Sequence, residues 1–132
     1  MQTIWITGGS SGIGFAVAKK FLDQKWHVVI SSSNKNKLQE AVNNLKNKEN
    51  KSRLFSYVCD ITKYKDVSKT ISKIEKEISS INIALLGAAA YSPNKTQDFD
   101  IKNYELLIDV NLKGTINCID ILKNSMKNKK GH

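Results

Sequence analysis

The chain has 132 residues and a formal net charge of +9 at pH 7, with 40% hydrophobic and 25% charged residues. This composition is ordinary for a globular protein, and we interpret residues 1–132 as one domain. The longest apolar run, residues 83–91, is far shorter than the roughly 18 residues of a membrane span, and the N-terminus enters a predicted strand without a signal-peptide pattern, so we expect a cytoplasmic protein with no membrane partner.

The positive charge raises the question of a nucleic-acid partner, and its distribution argues against one. Arg53 is the only arginine, and many lysines lie among asparagines on predicted helix faces and in residues 46–51. Aromatic side chains do not interleave with them as a base-stacking platform requires. We therefore interpret the charge as solvated surface, although the basic cluster at residues 123–130 leaves a nucleic-acid-binding domain as one alternative.

The chain begins with a predicted strand at residues 2–7, a glycine-rich loop, and a predicted helix from Gly12 to residue 24. Gly8 permits a tight turn, Gly12 lets backbone N–H groups approach a phosphate without a Cβ in the way, and Gly14 allows the helix to pack against the strand. A strand that turns through glycines into a helix N-terminus is typical of a pyrophosphate cradle. The spacing is Gly-x3-Gly-x-Gly instead of the G-x-G-x-x-G of the commonest dinucleotide fold.

Three more strands and three more helices are predicted along the rest of the chain. The strands are predicted at residues 27–31, 54–58 and 81–86. The last is continuously apolar and is therefore expected to be buried on both faces. The helices are predicted after the N-cap Asn34, after Thr62, and over residues 101–127. The apolar helix stripes are Ile13, Val17, Ala18, Phe21 and Leu22, then Leu38, Ala41, Val42 and Leu45, then Val67, Ile71, Ile74 and Ile78, and finally Tyr104, Ile108, Leu112, Ile119 and Leu122. This alternation predicts a parallel sheet of βαβ units with right-handed crossovers.

Two cysteines are present, Cys59 at the end of the third predicted strand and Cys118 on the last predicted helix. They are too few for a disulfide framework, and their separation is not a metal-ligand spacing. Both are therefore expected to be reduced core residues, and no metal site is predicted.

Four motifs, in this order, resemble the short-chain dehydrogenase/reductase family. The octet of residues 7–14 resembles the family's cofactor fingerprint, and Asp60-Ile61 after the third strand is similar to its adenine contact. Leu86-Gly87-Ala88-Ala89 stands where the family usually has Asn-Asn-Ala-Gly. Asn111 matches the family's active-site asparagine in a long helix. The resemblance covers essentially the whole chain.

The resemblance implies an α/β fold, a Rossmann-like, doubly wound parallel sheet with strand order 3-2-1-4. It also implies reversible hydride transfer between NAD(P)(H) and an alcohol or carbonyl substrate, in a full-length enzyme that forms a homo-oligomer. Family members have roughly 250 residues, with a catalytic serine on a fifth strand and a Tyr-x3-Lys pair on the next helix. Neither segment is found in these residues, so we interpret the chain as an incomplete, truncated, cofactor-binding half. The cofactor contacts implied are Gly8, Ser10, Ser11, Gly12, Ile13, Gly14, Ser32, Ser33, Asp60, Ile61, Ala88 and Ala89.

A Tyr-x3-Lys string does occur, from Tyr91 to Lys95, but its setting does not fit the family's catalytic pair. The family chemistry needs the tyrosine and lysine one helical turn apart, so that the ammonium lowers the pKa of the phenol. Pro93 lies between them in a turn signal, and proline disfavours helical geometry at the residue before it. We therefore predict a plain turn at this position.

Asn111 has two interpretations that do not exclude each other. It lies near an apolar stripe, where a buried amide needs hydrogen-bond partners, so it can satisfy backbone groups in a helix that bends. The resemblance implies instead an asparagine that helps to organise a water-linked proton path to the active-site lysine. Since that lysine is not found in the sequence, only the structural role is expected in this chain.

The end of the second strand, Ser31-Ser32-Ser33-Asn34-Lys35, favours NADP(H) over NAD(H). An NAD site usually places a carboxylate here, about 20 residues past the glycine fingerprint, to bind the ribose 2′-hydroxyl. No carboxylate is present, and the serine hydroxyls and Lys35 can accept a 2′-phosphate. Against this, the position before Gly12 lacks the basic residue found in many NADP-preferring relatives. A non-catalytic dinucleotide-binding module is the alternative to an enzyme.

Overall fold

Four parallel strands form one sheet in the computed structural model, which describes residues 1–93 and 96–127. The strands are β1 (Thr3–Thr7), β2 (His27–Ser32), β3 (Leu54–Val58) and β4 (Ile83–Leu86). Their order across the sheet is β3-β2-β1-β4, and each neighbouring pair is parallel. The predicted α/β class, Rossmann-like sheet and strand order 3-2-1-4 are therefore confirmed.

Helices follow each strand of the sheet. They are α1 (Gly12–Asp23), α2 (Lys35–Leu45), α3 (Tyr64–Glu77), α4 (Ile101–Ile108) and α5 (Thr115–Lys127), with a 3₁₀ turn (Thr96–Asp98) before α4 and a π-helical turn (Asp109–Gly114) before α5. Asn34 caps α2 as predicted, because its Oδ1 accepts the backbone N–H of Lys37 at 3.0 Å. No helix within the described residues is long and apolar enough to cross a membrane.

Each face of the sheet carries its own apolar core, as a doubly wound sheet requires. Ile4 and Ile6 pack with side chains of β2, α1 and α2 on one face. Trp5 and Val29 point to the opposite face, because side chains alternate along a strand, and pack with α3 and α5. Trp5 is fully buried, and its indole N–H donates to Ser31 Oγ at 3.1 Å. β1 is therefore covered on both faces and paired along both edges.

The predicted core stripes of α2 and α3 are confirmed. Their buried members are Leu38, Ala41, Leu45, Val67, Ile71 and Ile74, and Val42 and Ile78 are partly buried. In α1 the stripe residues Ala18 and Leu22 are buried as predicted, whereas Ile13, at the start of the helix, is 80% exposed. The two cysteines are free and buried, as predicted. Burial raises the pKa of both thiols, that of Cys118 to about 12, so neither forms the thiolate that a reactive cysteine needs.

β4 is shorter and more exposed than the sequence predicts. It begins at Ile83 instead of residue 81, and the expectation that it is buried on both faces is wrong. Ile83 is 37% exposed, and the other three residues are only partly buried. The reason is the position of the strand, since β4 pairs with β1 and has no second neighbour among the described residues.

The last predicted helix is interrupted, and its predicted inner stripe is wrong except at Leu122. The π-helical turn between α4 and α5 holds an extra residue compared with an α-helical turn. This insertion rotates the positions on either side of it relative to each other, so that Gly114, Cys118 and Leu122 face the core. The other predicted positions, which we term the outer stripe, are 44–56% exposed and are Tyr104, Ile108, Leu112 and Ile119.

Candidate functional site

The turn from β1 into α1 depends on the glycines that the sequence singles out. Gly8 has a φ of +68°, in the left-handed region that favours glycine, and a Cβ there would stand 2.8 Å from backbone atoms of Ala88. A Cβ on Gly14 would collide with the carbonyl oxygen of Gly8. At Gly12, with a φ of +54°, the same space is open. The corner is therefore tightly packed on its protein side and open at Gly12.

A cavity of about 500 Å³ lies at the carboxyl ends of β1, β2 and β4. The chain changes direction across the sheet here, because β2 lies on one side of β1 and β4 on the other. Open parallel sheets bind ligands at such a switch point, and the volume is that of a small-molecule or cofactor site. The lining residues are Gly8, Ser10, Ser11, Gly12, Ile13 and Gly14 after β1, Ser32, Ser33, Asn34 and Lys37 from the end of β2 into α2, and Gly87, Ala88 and Ala89 after β4.

The N-terminus of α1 faces this cavity without a side-chain cap. Ser11 is the N-cap residue in extended geometry, and its side chain makes no capping hydrogen bond. The first turn of α1 contains no acidic residue. Uncapped N–H groups and the positive end of the helix dipole both favour an anion. Ser10 and Ser11 add two hydroxyl groups to the same wall.

The cavity wall after β4 is fastened on two sides. Thr7 accepts the N–H of Gly87 with its carbonyl oxygen and the N–H of Ala88 with its hydroxyl, both at 3.2 Å. From the π-helical turn, Asn111 bonds both backbone groups of Ala90: its Oδ1 accepts the N–H at 2.8 Å, and its Nδ2 donates to the carbonyl at 2.9 Å. The wall is thus tied to β1 at its start and to the π-helical turn at its end.

Asn111 itself is exposed and not buried. Its bonds to Ala90 are those of the structural interpretation, since its amide satisfies backbone groups beside a distorted helix. The backbone carbonyl oxygen of Asn111 accepts a hydrogen bond from the hydroxyl of Thr115 at 3.2 Å. A part in proton transfer stays a prediction.

Asp60 and Ile61 are the predicted cofactor contacts that do not line the cavity. Asp60 Oδ1 accepts the backbone N–H and the hydroxyl of Thr62 at 3.0 and 2.7 Å, and the backbone N–H of Asp60 donates to Asp66 at 2.8 Å. Ile61 is 6% exposed and its side chain lies against Gly114. A Cβ added to Gly114 would stand 2.6 Å from the side chain of Ile61. Both residues hold the turn between β3 and α3, and their contact with a cofactor stays a prediction.

Three lining residues were missed by the sequence analysis, namely Asn34, Lys37 and Gly87. Asn34 was assigned only as a helix cap. Lys35 was expected to supply the positive charge, but the lysine that lines the cavity is Lys37. The spacing carried the signal, because an N-cap side chain and the residue three positions later lie together at the start of a helix.

The Tyr91 string has no helical geometry where the structure describes it. Residues 91–93 belong to no helix or strand, and Asn94 and Lys95 lie outside the described residues, so the plain turn stays a prediction. Tyr91 is 89% exposed. In the described residues, no three His, Cys, Asp or Glu side chains come together as potential metal ligands.

All lysines in residues 1–93 and 96–127 are exposed, which agrees with their interpretation as solvated surface. In the predicted basic cluster, Lys123 pairs with Asp120 at 2.7 Å, and residues 128–130 lie outside the described part of the chain. The absence of a nucleic-acid partner stays a prediction.

Comparison with known proteins identifies the family. The profile of the family described as short chain dehydrogenase matches residues 2–132. The chain belongs to the short-chain dehydrogenase family. Within it, the chain is 29% identical over 129 residues to an uncharacterized oxidoreductase of Staphylococcus saprophyticus, covering 96% of this chain and 54% of that protein. It is 28% identical over 115 residues to sulfoacetaldehyde reductase 2 of Chromohalobacter salexigens, covering 86% of this chain and 44% of that protein.

Two solved structures superpose on this chain and share its fold. ElxO with NADP bound superposes with a TM-score of 0.85 at 26% identity, covering 96% of this chain and 51% of ElxO. A short chain dehydrogenase from Bacillus anthracis gives a TM-score of 0.89 at 27% identity, covering 98% of this chain and 52% of that one. The chain spans about half the length of the relatives it matches.

Proposed function

We propose that this chain forms the dinucleotide-binding part of an NAD(P)(H)-dependent oxidoreductase. The observation that carries the proposal is the cavity at the switch point of the sheet, with the glycine corner and the uncapped start of α1 as its first wall. Membership of the short-chain dehydrogenase family and similarity to ElxO with NADP bound support a nicotinamide dinucleotide as its ligand. The names of the relatives do not favour a non-catalytic module.

The residues of the glycine corner fit the pyrophosphate of such a cofactor. The open space beside Gly12 lets the backbone donors at the start of α1 reach phosphate oxygens. Ser10 and Ser11 would donate their hydroxyls to the same group. On the opposite wall, Ala88 and Ala89 present only methyl groups, which leaves the width of the cavity for a sugar ring.

The bound cofactor would supply or accept a hydride, and the remaining chemistry belongs to protein groups that hold it in place. We assign Asn111 a positioning role, because its two bonds to Ala90 fix the wall opposite the glycine corner. For the full-length protein we propose a small alcohol or carbonyl substrate and a homo-oligomeric assembly.

Within this proposal the site prefers NADP(H) to NAD(H). Ser32 and Ser33 line the cavity where an NAD site usually has a carboxylate for the ribose 2′-hydroxyl. No Asp or Glu is among the described residues that line the cavity. A 2′-phosphate therefore meets hydroxyl groups and a lysine there instead of a negative charge.

Titration of NADPH and NADH into the purified chain tests the proposal. We expect NADPH to bind more tightly, and Ser32→Asp to shift the preference towards NADH because it restores the carboxylate. Binding of neither dinucleotide would contradict the function itself. Tighter binding of NADH by the unchanged chain would contradict only the choice of cofactor.

We further propose that these 132 residues do not turn over alcohols or ketones unaided. The family's catalytic serine and helical Tyr-x3-Lys pair are not found in the sequence, and a positioned acid or base typically contributes about 10²–10⁴-fold. The check is NADPH oxidation by the purified chain with a panel of carbonyl compounds. Steady oxidation that disappears in Tyr91→Phe would instead identify Tyr91 as the acid.

A further inference from the structure

We propose that Asn117, in the first turn of α5, is a positioning residue of the dinucleotide site, an inference that rests on the proposed function. It acts on the turn between β3 and α3 through the backbone of Ile61. Its Nδ2 donates to the carbonyl oxygen of Ile61 at 2.9 Å, across 56 residues of sequence. A buried backbone carbonyl needs a donor, and Ile61 is 6% exposed. The amide of Asn117 therefore fixes where this turn lies against α5.

Gly114 receives the side chain of the same isoleucine. A Cβ on Gly114 would stand 2.6 Å from Cγ1 and 2.7 Å from Cδ1 of Ile61, so it is the glycine that allows the side chain to lie this close. Gly114 and Asn117 are three positions apart, where the π-helical turn continues into α5. Residues at this spacing lie on one face of a helix. One helical face thus holds Ile61 by its side chain and by its backbone.

The turn after β3 lies at the edge of the sheet where the cavity opens. Cys59, the first residue after β3, donates its backbone N–H to the carbonyl oxygen of Ser32 at 3.0 Å, and Ser32 lines the cavity. Ile61 belongs to the apolar cluster against which Ala88 of the opposite wall packs. The end of the second strand is where a dinucleotide site takes the ribose of the adenosine half. A displaced turn would therefore alter the adenosine side of the site first.

The same helical segment also holds the wall after β4. Asn111 bonds both backbone groups of Ala90 from the π-helical turn, and Asn117 bonds the carbonyl of Ile61 from the start of α5. Residues 111–117 thus fasten two loops that follow different strands of the sheet. Because each loop has its own amide, the two attachments can be broken separately. Loss of the Asn117 amide should loosen the turn after β3 and leave the wall after β4 in place.

AMP and nicotinamide mononucleotide are the probes that test this assignment, because each carries one half of the proposed cofactor. Their binding to the full chain would be followed by NMR chemical-shift titration. We expect Asn117→Leu to weaken AMP binding about three- to tenfold, as loss of one hydrogen bond implies, and to leave nicotinamide mononucleotide unchanged. Gly114→Ala should also weaken AMP more than the other probe, because its Cβ displaces Ile61. The matched control Asn124→Leu, at an exposed position of α5, should change neither ligand.

Amide hydrogen exchange in Asn117→Leu shows where the chain has loosened. The N–H of Thr62, which bonds Asp60 Oδ1 at 3.0 Å, should exchange faster than in the unchanged chain, whereas the N–H of Ala90 should keep its rate. A general loss of stability would speed both amides and would leave the affinity of the folded chain for AMP unaltered. Circular dichroism spectra check that each variant is folded.

The outcomes separate this assignment from the function on which it rests. Unchanged binding of AMP by Asn117→Leu would overturn the assignment, and so would exchange that accelerates equally at Thr62 and Ale90. In both cases binding of NADPH by the unchanged chain would leave the proposed function standing. Failure of the unchanged chain to bind either AMP or NADPH would overturn both.

Discussion

β1 and β4 are adjacent strands with similar apolar sequences, yet they have opposite surroundings. All five residues of β1 are buried, and the strand is paired on both edges. β4 is paired with β1 alone in the described part of the chain, and its burial ranges from exposed at Ile83 to partial at Leu86. An apolar run therefore predicts that a strand forms, whereas the neighbours of that strand determine whether it is covered.

The exposed border of β4 continues onto α5. A shallow groove of about 390 Å³ runs between the two elements, lined by Ile83, Ala84, Leu86, Ile119, Leu122, Lys123 and Met126. Ile119 belongs to the outer stripe, so the apolar surface extends from the sheet edge along the helix. β1 thus stabilises the fold, and β4 with α5 presents apolar area to solvent.

The strongest test of this contrast is truncation of one side chain in each strand. Ile4→Ala should lower the free energy of unfolding by about 2–5 kcal/mol, because Ile4 is 1% exposed. Ile83→Ala, the same change at the residue of β4 that pairs with Ile4, should cost less than about 1 kcal/mol, as partly exposed positions do. Urea unfolding followed by circular dichroism measures both. Similar losses at the two positions would show that β4 is covered.

A second test concerns the corner at which β1 and β4 approach each other. Gly8→Ala should lower the free energy of unfolding by about 1–3 kcal/mol through backbone strain, with a further loss because its Cβ meets Ala88. It should also abolish binding of NADPH. Gly12→Ala is the control, since it has a positive φ but open space and should cost about 1 kcal/mol. A larger loss of unfolding free energy in Gly12→Ala than in Gly8→Ala would show that contact with the wall after β4 is not what requires glycine at this corner.

A third test addresses the exposed border directly. An unpaired apolar strand edge is a template for association between chains, so we expect the purified chain to self-associate. The double variant Ile83→Lys, Ile119→Lys should associate less. Each substitution should change the unfolding free energy by no more than about 0.5 kcal/mol. Sedimentation velocity is the measurement. A purified chain that is monomeric without these changes would contradict the expectation.

The smallest expected effect lies at the other end of β1, where His27 opens β2. Burial lowers the pKa of His27, and the positive charges of the N-terminus and Arg53 lower it further. The unfolded chain then binds a proton more readily than the folded one. Stability should therefore be complete above about pH 6.5 and should decline as the pH falls from there through the lowered folded-state pKa. His27→Gln should flatten this part of a pH–stability curve, and an unchanged curve would assign the slope to other groups.

Features encoded by short stretches of sequence were predicted correctly. The limits of β3, the cap Asn34 and the glycine corner follow from local propensity, hydrogen-bonding side chains and backbone freedom. The exposure of the outer stripe was not predicted. A helical period that is continued through residues 109–114 takes no account of the extra residue in the π-helical turn. The spacing of Lys37 to the cap Asn34 places the two together at the start of α2, but that this start lines the cavity depends on how α2 faces the loop after β1.

α4 has no buried residue, and two asparagines, one in α4 and one in the π-helical turn after it, join this part of the chain to the segment that follows β4. Asn103 Nδ2 donates to the carbonyl of Ser92 at 3.3 Å, and Asn111 bonds Ala90. Segments with so little buried surface open at a much lower free energy than a central sheet. We expect opening of α4 to loosen the wall at Ala90, where Asn111 holds it, while Gly87 and Ala88 stay bonded to Thr7 of β1. The glycine corner and the start of the wall thus belong to the stable part of the fold, and only the far end of the wall depends on the docking of α4.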